Sequence, residues 1–482
     1  MSKNQVIVHH EPHAEDNAAL QAWYSRSNKS VVEHREKLAR EGSGKFMDQI
    51  FIQYGHASVG DLGTTTVYFE GISMIAAKAL QDNPLYNGQE CSSRYIDMGS
   101  VEMIAPAFEE GRQAVEKLRS FYVESMPEVV EDLTRRFPIE DGQKQSVYTK
   151  AINARAFDIL RGFLPCGTTT NVAWSGTLRN FKENLERLRH HPLTEVSNLA
   201  GDAYKKLYDA YPNSFDKGIA EAFTHEQLVA EIGVEKAEYL GALDNFYSSG
   251  PGDIYITDMD MAYGDMGRLG SASEEAVFTR IDPVSVFSGA DLLGTQEESD
   301  LAIEADSVHL RGLMIPRHAR GANFSLSIFG TLDFGSFRDL QRHRGGYVGL
   351  PIVTGDCGFH SWYIENLPAG LQQKAKDLVY EVLQAYYHVV NSADNVGCSL
   401  GTKLRLQYML PMGMLVAVEM EFPLRQLVYL VELRSGQTVH PTLRVFAHKV
   451  AGVLTAESVQ VHYDARPDTW SLRRGNQDII VK

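Results

Sequence analysis

Two rhythms of apolar and polar positions run through this chain. From Ala18 to Ile52 the apolar residues recur at helical spacing with charged residues between them, which predicts amphipathic surface helices. After a turn at Gly55-His56, Thr64 to Phe69 is β-branched and aromatic, the composition of a strand. Ile72 to Leu80 reads as a short buried helix ended by Pro84 and Gly88. Helical periodicity returns over Phe108–Phe137, Gln143–Leu160 and Arg179–Leu188. The second half gives a strand (Phe324–Leu332), a short helix through Gln341, a long helix (Leu371–Val390) and a final helix pair. Strands and helices mix without a βαβ rhythm, so the expected class is α+β, with small, mostly antiparallel sheets packed against helices.

The elements also repeat. His56 leads into a strand, a helix and then Gln89-Glu90-Cys91-Ser92-Ser93-Arg94-Tyr95. His318 leads into a strand, a helix and then Arg342-His343-Arg344. Leu164-Pro165 precedes Arg179 by fourteen residues, as Leu410-Pro411 precedes Arg425, and a further arginine follows each at Arg189 and Arg434. Two diverged copies in tandem account for this order, and make a composite site the expectation. Domain 1 is assigned to residues 1–247, the Gly-, Pro- and Asp-rich connection to 248–300, and domain 2 to 301–482.

Composition narrows the function classes. A net charge of −16 opposes general binding to a nucleic-acid duplex, because phosphate contacts need a basic face. Cys91, Cys166, Cys357 and Cys398 contain no Cys-x-x-Cys pair, so neither a zinc knuckle nor a disulfide framework is expected, and a reducing cytoplasm fits best. The apolar stretch near Leu406–Val418 is too short for a membrane span. His9-His10-Glu11-Pro12-His13 is read as a mobile terminal tract, not a metal site. Neither half has a Walker loop or a Gly-x-Gly-x-x-Gly fingerprint, so a nucleotide must be held in another way.

The candidate chemistry is cationic. Arg342-His343-Arg344 before Gly345-Gly346 is ordinary surface charge when read alone. With Arg425, Arg434 and His440 at the ends of later elements, the concentration in an acidic chain favours an anion site, since planar guanidinium groups donate paired hydrogen bonds to phosphate or to a flavin edge. In the first half, Glu90, Ser92 and Arg94 would face one way if extended, and Cys91 would turn away from them.

These segments resemble the flavin-dependent thymidylate synthases, the ThyX family, whose motif runs Arg-His-Arg, two residues, Ser, one residue, Asn-Glu, one residue, Ser, one residue, Arg. Its front is kept in the second copy as Arg342-His343-Arg344, and its back in the first as Glu90-x-Ser92-x-Arg94 followed by Tyr95. Gln81-Asp82-Asn83, with one inserted residue, stands where Arg-His-Arg belongs in the first copy, and Asn87 and Gln89 replace the motif's Ser and Asn.

The resemblance implies tandem ThyX-like domains and reductive methylation of dUMP with methylenetetrahydrofolate and reduced FAD, NADPH recharging the flavin. It implies catalytic roles for Arg161, Arg342 and Arg344. FAD contacts would come from His56, Arg342, His343, Arg344, Arg425, Arg434 and His440. Substrate contacts would come from Gln89, Glu90, Ser92, Arg94, Tyr95 and Arg161. The expected assembly is a homodimer imitating the family's tetramer, with no metal, nucleic acid or membrane. The alternatives are methylation of another uridine nucleotide, or a non-catalytic protein that binds flavin or nucleotide.

Overall fold

The computed structural model describes residues 4–54, 56–94, 96–221, 325–391, 404–456, 459 and 461–465. Tyr95, His318, Cys398 and the expected connection at 248–300 lie outside the described residues. The first half begins with strand β1 (Gln5–His9) and helices α1 (Ala14–Tyr24), α2 (Val31–Glu41) and α3 (Gly44–Met47). It continues through β2 (Thr64–Ser73), α4 (Met74–Gln81), β3 (Asn87–Glu90), α5 (Glu109–Arg136) and α6 (Gln145–Leu160). The half closes with β4 (Thr169–Thr177), α7 (Leu178–Leu188), α8 (Thr194–Ala210) and α9 (Lys217–Glu221). The second contains β5 (Ser325–Asp333), α10 (Phe334–Leu340), β6 (Tyr347–Val348), α11 (Ser361–Glu365), α12 (Ala369–Asn391), β7 (Leu415–Pro423), α13 (Leu424–Arg434) and α14 (Pro441–Ala456). The fold is α+β.

The strands form two antiparallel sheets, ordered β1-β2-β4-β3 and β5-β7-β6. In each, the long strand runs directly into a helix, and a side chain at the junction caps it. Ser73 accepts from the Ala76 amide at 3.0 Å, and Asp333 from the Ser336 amide at 2.9 Å, which satisfies one of the free amides at each helix start. Gly71 adopts φ 65° at the register shift between Phe69 and Ile72, a conformation that L side chains disfavour.

The two Leu-Pro corners face each other. Cys166 N–H donates to Leu410 O and Met412 N–H to Leu164 O, both at 2.8 Å. One step outward, Gly167 N–H donates to Tyr408 O (3.0 Å) and Gly413 N–H to Gly162 O (2.7 Å). Each bond has a partner with the halves exchanged, so the corners are related by a local twofold axis. The same axis relates two ion pairs between α5 and α12, Lys117–Glu381 at 2.8 Å and Glu124–Lys374 at 3.4 Å. One apolar core runs through both halves across this junction, including Phe163 and Leu164 from the first and Phe359, Met409 and Leu410 from the second. A smaller cluster around Trp23, Met47 and Phe51 anchors α1 to α3.

Three expectations are corrected. The tract at His9 is not a loose end, because Gln5–His9 pairs with β2 from Glu70 to Thr66 and Glu11 N–H donates to Tyr211 at 2.8 Å. The extended alternation from Glu90 to Arg94 stops at Glu90, where β3 ends and a turn carries Ser92 to Arg94. Finally, the caps place Lys78 and Arg338 each five residues beyond the capping residue, and β3 and β6 pair in the same register with their long neighbours. Asp82-Asn83-Pro84 therefore stands opposite Arg342-His343-Arg344, with no inserted residue. Among the described residues no helix is long and apolar enough to cross a membrane.

Candidate active site between the two halves

Lys78 and Arg338 converge on one carboxylate. Glu90 accepts from Lys78 Nζ at 2.7 Å, Gln81 Nε2 at 2.8 Å and Arg338 Nη2 at 2.5 Å. The three charged side chains are 1%, 4% and 8% exposed in the order Lys78, Glu90, Arg338, so each depends on the others for the solvation it has lost. Burial lowers the Lys78 ammonium to about 8 despite the neighbouring carboxylate. Burial opposes ionisation of Glu90, but Arg338 and then Lys78 hold its carboxyl far below the ordinary range.

Next to this triad the turn after β3 reaches into the second half. Arg94 grips both oxygens of Asp158 (2.6 and 2.9 Å), and its remaining nitrogen donates to Thr438 O at 3.3 Å. Arg161, which is 1% exposed, donates from Nη2 to Ser336 Oγ at 2.9 Å, while its Nε has no hydrogen-bond partner among the described residues. His440 lies against the rings of Trp362 and Tyr363, at 4.8 and 5.6 Å. The Asp158 carbonyl, 3.3 Å from His440 Nε2, can only accept, so Nε2 carries the proton and Nδ1 faces the Thr442 hydroxyl at 2.9 Å. Burial, then Arg161 and Arg94, keep His440 neutral.

Arg342, His343 and Arg344 follow α10 on the solvent side of this assembly. Arg434 Nε donates to His343 Nε2 at 2.8 Å, which assigns that nitrogen as an acceptor, and burial with Arg434 lowers His343 to about 3. Burial opposes ionisation of Asp339, yet Arg434, Arg161, Arg342 and Arg94 hold its carboxyl at about 2, so arginines of both halves act on one acid. The Arg344 guanidinium sits 5.2 Å from the ring of Tyr86, across the junction. Burial and then neighbouring positive charge push Arg434 below the usual arginine range, Arg342 and Arg94 being the cations responsible. Arg344 moves the same way through burial and Arg342. This corner carries more positive charge than its own carboxylates neutralise.

Most of the anticipated residues thus meet, namely Glu90, Arg94, Arg161, Arg342, His343, Arg344, Arg434 and His440. His56 is exposed before the 57–62 turn, and Gln89 is exposed on β3. The Ser92 hydroxyl accepts from the Arg94 amide at 3.3 Å, closing the turn. Arg425 occupies the opposite end of α13 from Arg434, roughly 14 Å away along the axis. Lys78, Asp158, Arg338 and Asp339 were not anticipated. The equal placement of Lys78 and Arg338 in matched helices was the available signal, as was the spacing of one helical turn between Asp158 and Arg161.

The first half lacks an equivalent cation cluster at its matching positions. Arg179 is spent on Asp61 (3.0 Å) and Glu183 (2.7 Å) at the surface. Leu193, not a histidine, precedes α8 as His440 precedes α14, and His191 Nδ1 accepts from the Leu193 amide at 3.1 Å.

Residues 6–213 match the family model of the thymidylate synthase complementing proteins, Thy1. The likeness to that family lies in the first half of the chain. Across both halves, the chain is 27% identical over 446 residues to a UPF0159 protein of Chlamydia muridarum, covering 88% of this chain and 80% of that protein. It is 23% identical to a UPF0159 protein of Thermoplasma acidophilum, over 90% and 91% of the two chains. A thymidylate synthase X from Helicobacter pylori, solved with FAD and dUMP, aligns with 45% of this chain and 100% of its own at 18% identity, with a TM-score of 0.27. The UMP/dUMP methylase PolB of Streptomyces cacaoi aligns with 48% of this chain and 96% of its own, at 12% identity and a TM-score of 0.32.

Proposed function

We propose that this protein is a flavin-dependent thymidylate synthase-like enzyme that methylates dUMP reductively, using methylenetetrahydrofolate, FAD and NADPH, at a site composed from both halves of one chain. The observation that carries this reading is the meeting of the motif's two separated parts. Arg342, His343, Arg344 and Arg434 of the second half share Asp339 and its surroundings with Arg94 and Arg161 of the first.

The residues suit the implied cofactor. Surplus guanidinium charge at Arg342, Arg344 and Arg434 matches a diphosphate-bearing anion, and the unpartnered, buried Nε of Arg161 is a donor awaiting an acceptor. FAD would supply the redox chemistry. The chain would hold it with Arg342, His343, Arg344 and Arg434, and would orient the pyrimidine with Arg161 and the nucleotide phosphate with Arg94. His343 and His440, both neutral, would serve as hydrogen-bonding groups, not as counter-ions, and burial of the cluster strengthens each contact by excluding water. Glu90 already satisfies Lys78 and Arg338, so in this reading it holds the two half-sites together and does not touch ligand. Asn87 and Gln89, exposed on β3 where the motif has Ser and Asn, favour a second reading, methylation of a different uridine nucleotide.

Purified protein should show a flavin spectrum or acquire one with FAD, and should release tritium from 5-labelled dUMP when methylenetetrahydrofolate and NADPH are present. Arg342→Ala should abolish flavin binding, and Arg179→Ala should leave it intact. A colourless protein that cannot be reconstituted refutes the enzyme reading; release from UMP alone selects the second substrate.

A further inference from the structure

A cavity of about 950 Å³ opens between residues 102–107, α5 and the start of α8, on the side of the corner pair opposite the arginine cluster. The local twofold axis shows why it exists. Ile104 N–H donates to Gly167 O (2.7 Å) as His360 N–H donates to Gly413 O (2.9 Å), so Pro106 stands where the other side has Trp362, and Ala107 where it has Tyr363. On the second side, Tyr363 packs on Gly162, where even a Cβ would lie 2.4 Å from its ring, and its hydroxyl donates to Asp333 at 2.6 Å. On the first side, Tyr408 replaces that glycine and sends its own hydroxyl to Glu195 at 2.7 Å. The tyrosine is thereby restored from the opposite strand of the corner. The indole of Trp362, which lies 4.8 Å from His440 with Arg155 5.0 Å over its face, has no replacement among the described residues.

The walls of the space are chemically uneven. Met103 to Ala107 form an apolar side, and Arg112 and Arg119, two turns apart on α5, form a cationic one. Three acids also border it: Glu195 is occupied by Ser73 and Tyr408, Asp202 pairs with Lys206 at 3.0 Å, and Glu102 is exposed. Arg112 is committed to Glu109 and the Ala107 carbonyl. Arg119 uses Nε on Gly99 O at 3.2 Å, and among the described residues Glu116 lies 3.9 Å from its Nη1.

We propose that this cavity binds a planar aromatic heterocycle bearing an anionic group, the ring against Pro106 and Ala107 in the place of the missing indole and the anion at Arg119. Its volume lies within the range of small-molecule sites, and stacking with one charged contact is the recognition that such walls offer. The inference is independent of the activity proposed above.

The test is calorimetric titration of the full chain with AMP as the aromatic anion and adenosine as its uncharged counterpart. AMP should saturate a site below about 1 mM and bind more tightly than adenosine. Ala107→Trp, which supplies a ring from an exposed position, and Arg119→Glu should each weaken AMP at least tenfold with unchanged far-ultraviolet circular dichroism. Arg119→Glu decides alone if the tryptophan variant does not fold. Absence of saturable AMP binding, or undiminished binding in a folded variant, overturns the proposal.

Discussion

Glu90 is where a single side chain has the most to lose. Its carboxylate neutralises a lysine and an arginine that are both out of water, so Glu90→Gln leaves two buried cations without their acid. Breaking such a buried cluster costs roughly 3–5 kcal/mol, and denaturant unfolding of Glu90→Gln should show a loss of that order. An unchanged midpoint would mean that the cations escape to solvent. Half of this chemistry was readable in the sequence. Arginines beside glycine and histidine announced a cluster of cations, because guanidinium groups in an acidic chain have few other reasons to gather. The triad was not readable, since a lysine in Met74–Gln81 and an arginine in Phe334–Leu340 look like solvated helix residues until the fold buries them. The register of Asp82-Asn83-Pro84 was also hidden, because the helix cap that fixes it comes from Ser73, nine residues upstream.

Among the elements, the corner pair is the tightest constraint. A Cβ on Gly167 would lie 1.9 Å from the Ile104 carbonyl and 2.9 Å from that of Tyr408, and backbone on both sides cannot yield as a side chain would. Gly167→Ala should therefore destabilise strongly, whereas Gly452→Ala, with nothing within 4 Å on a helix, should be neutral or slightly stabilising. Comparing their thermal midpoints checks this, and equal midpoints would remove the corner from its central role. Long amphipathic elements such as α5, α6 and α12 were legible within about two residues, because a one-sided core imposes the helical period on them. Strands β4 and β7 were not singled out, since they follow the proline corners inside apolar runs whose length suits either structure. Strand β1 was missed because its polar edge residues resemble a tail until β2 pairs with them.

At the scale of the whole molecule, the apolar core and the cationic site both cross the junction, so neither half has a finished surface of its own. Residues 301–482 expressed alone should be insoluble or unfolded, and co-expression with residues 1–247 should recover an equimolar complex, as co-purification would reveal. A soluble, cooperatively folding second half would show that the shared core is dispensable. The triad adds a rule about which surfaces can associate. The sheet register places Leu350 opposite Glu90, so a pair of second halves would bring two copies of Arg338 to the axis with no acid between them. A pair of first halves would bring Lys78 and Glu90 in equal number. The charge balance therefore permits self-association of one half and opposes it in the other.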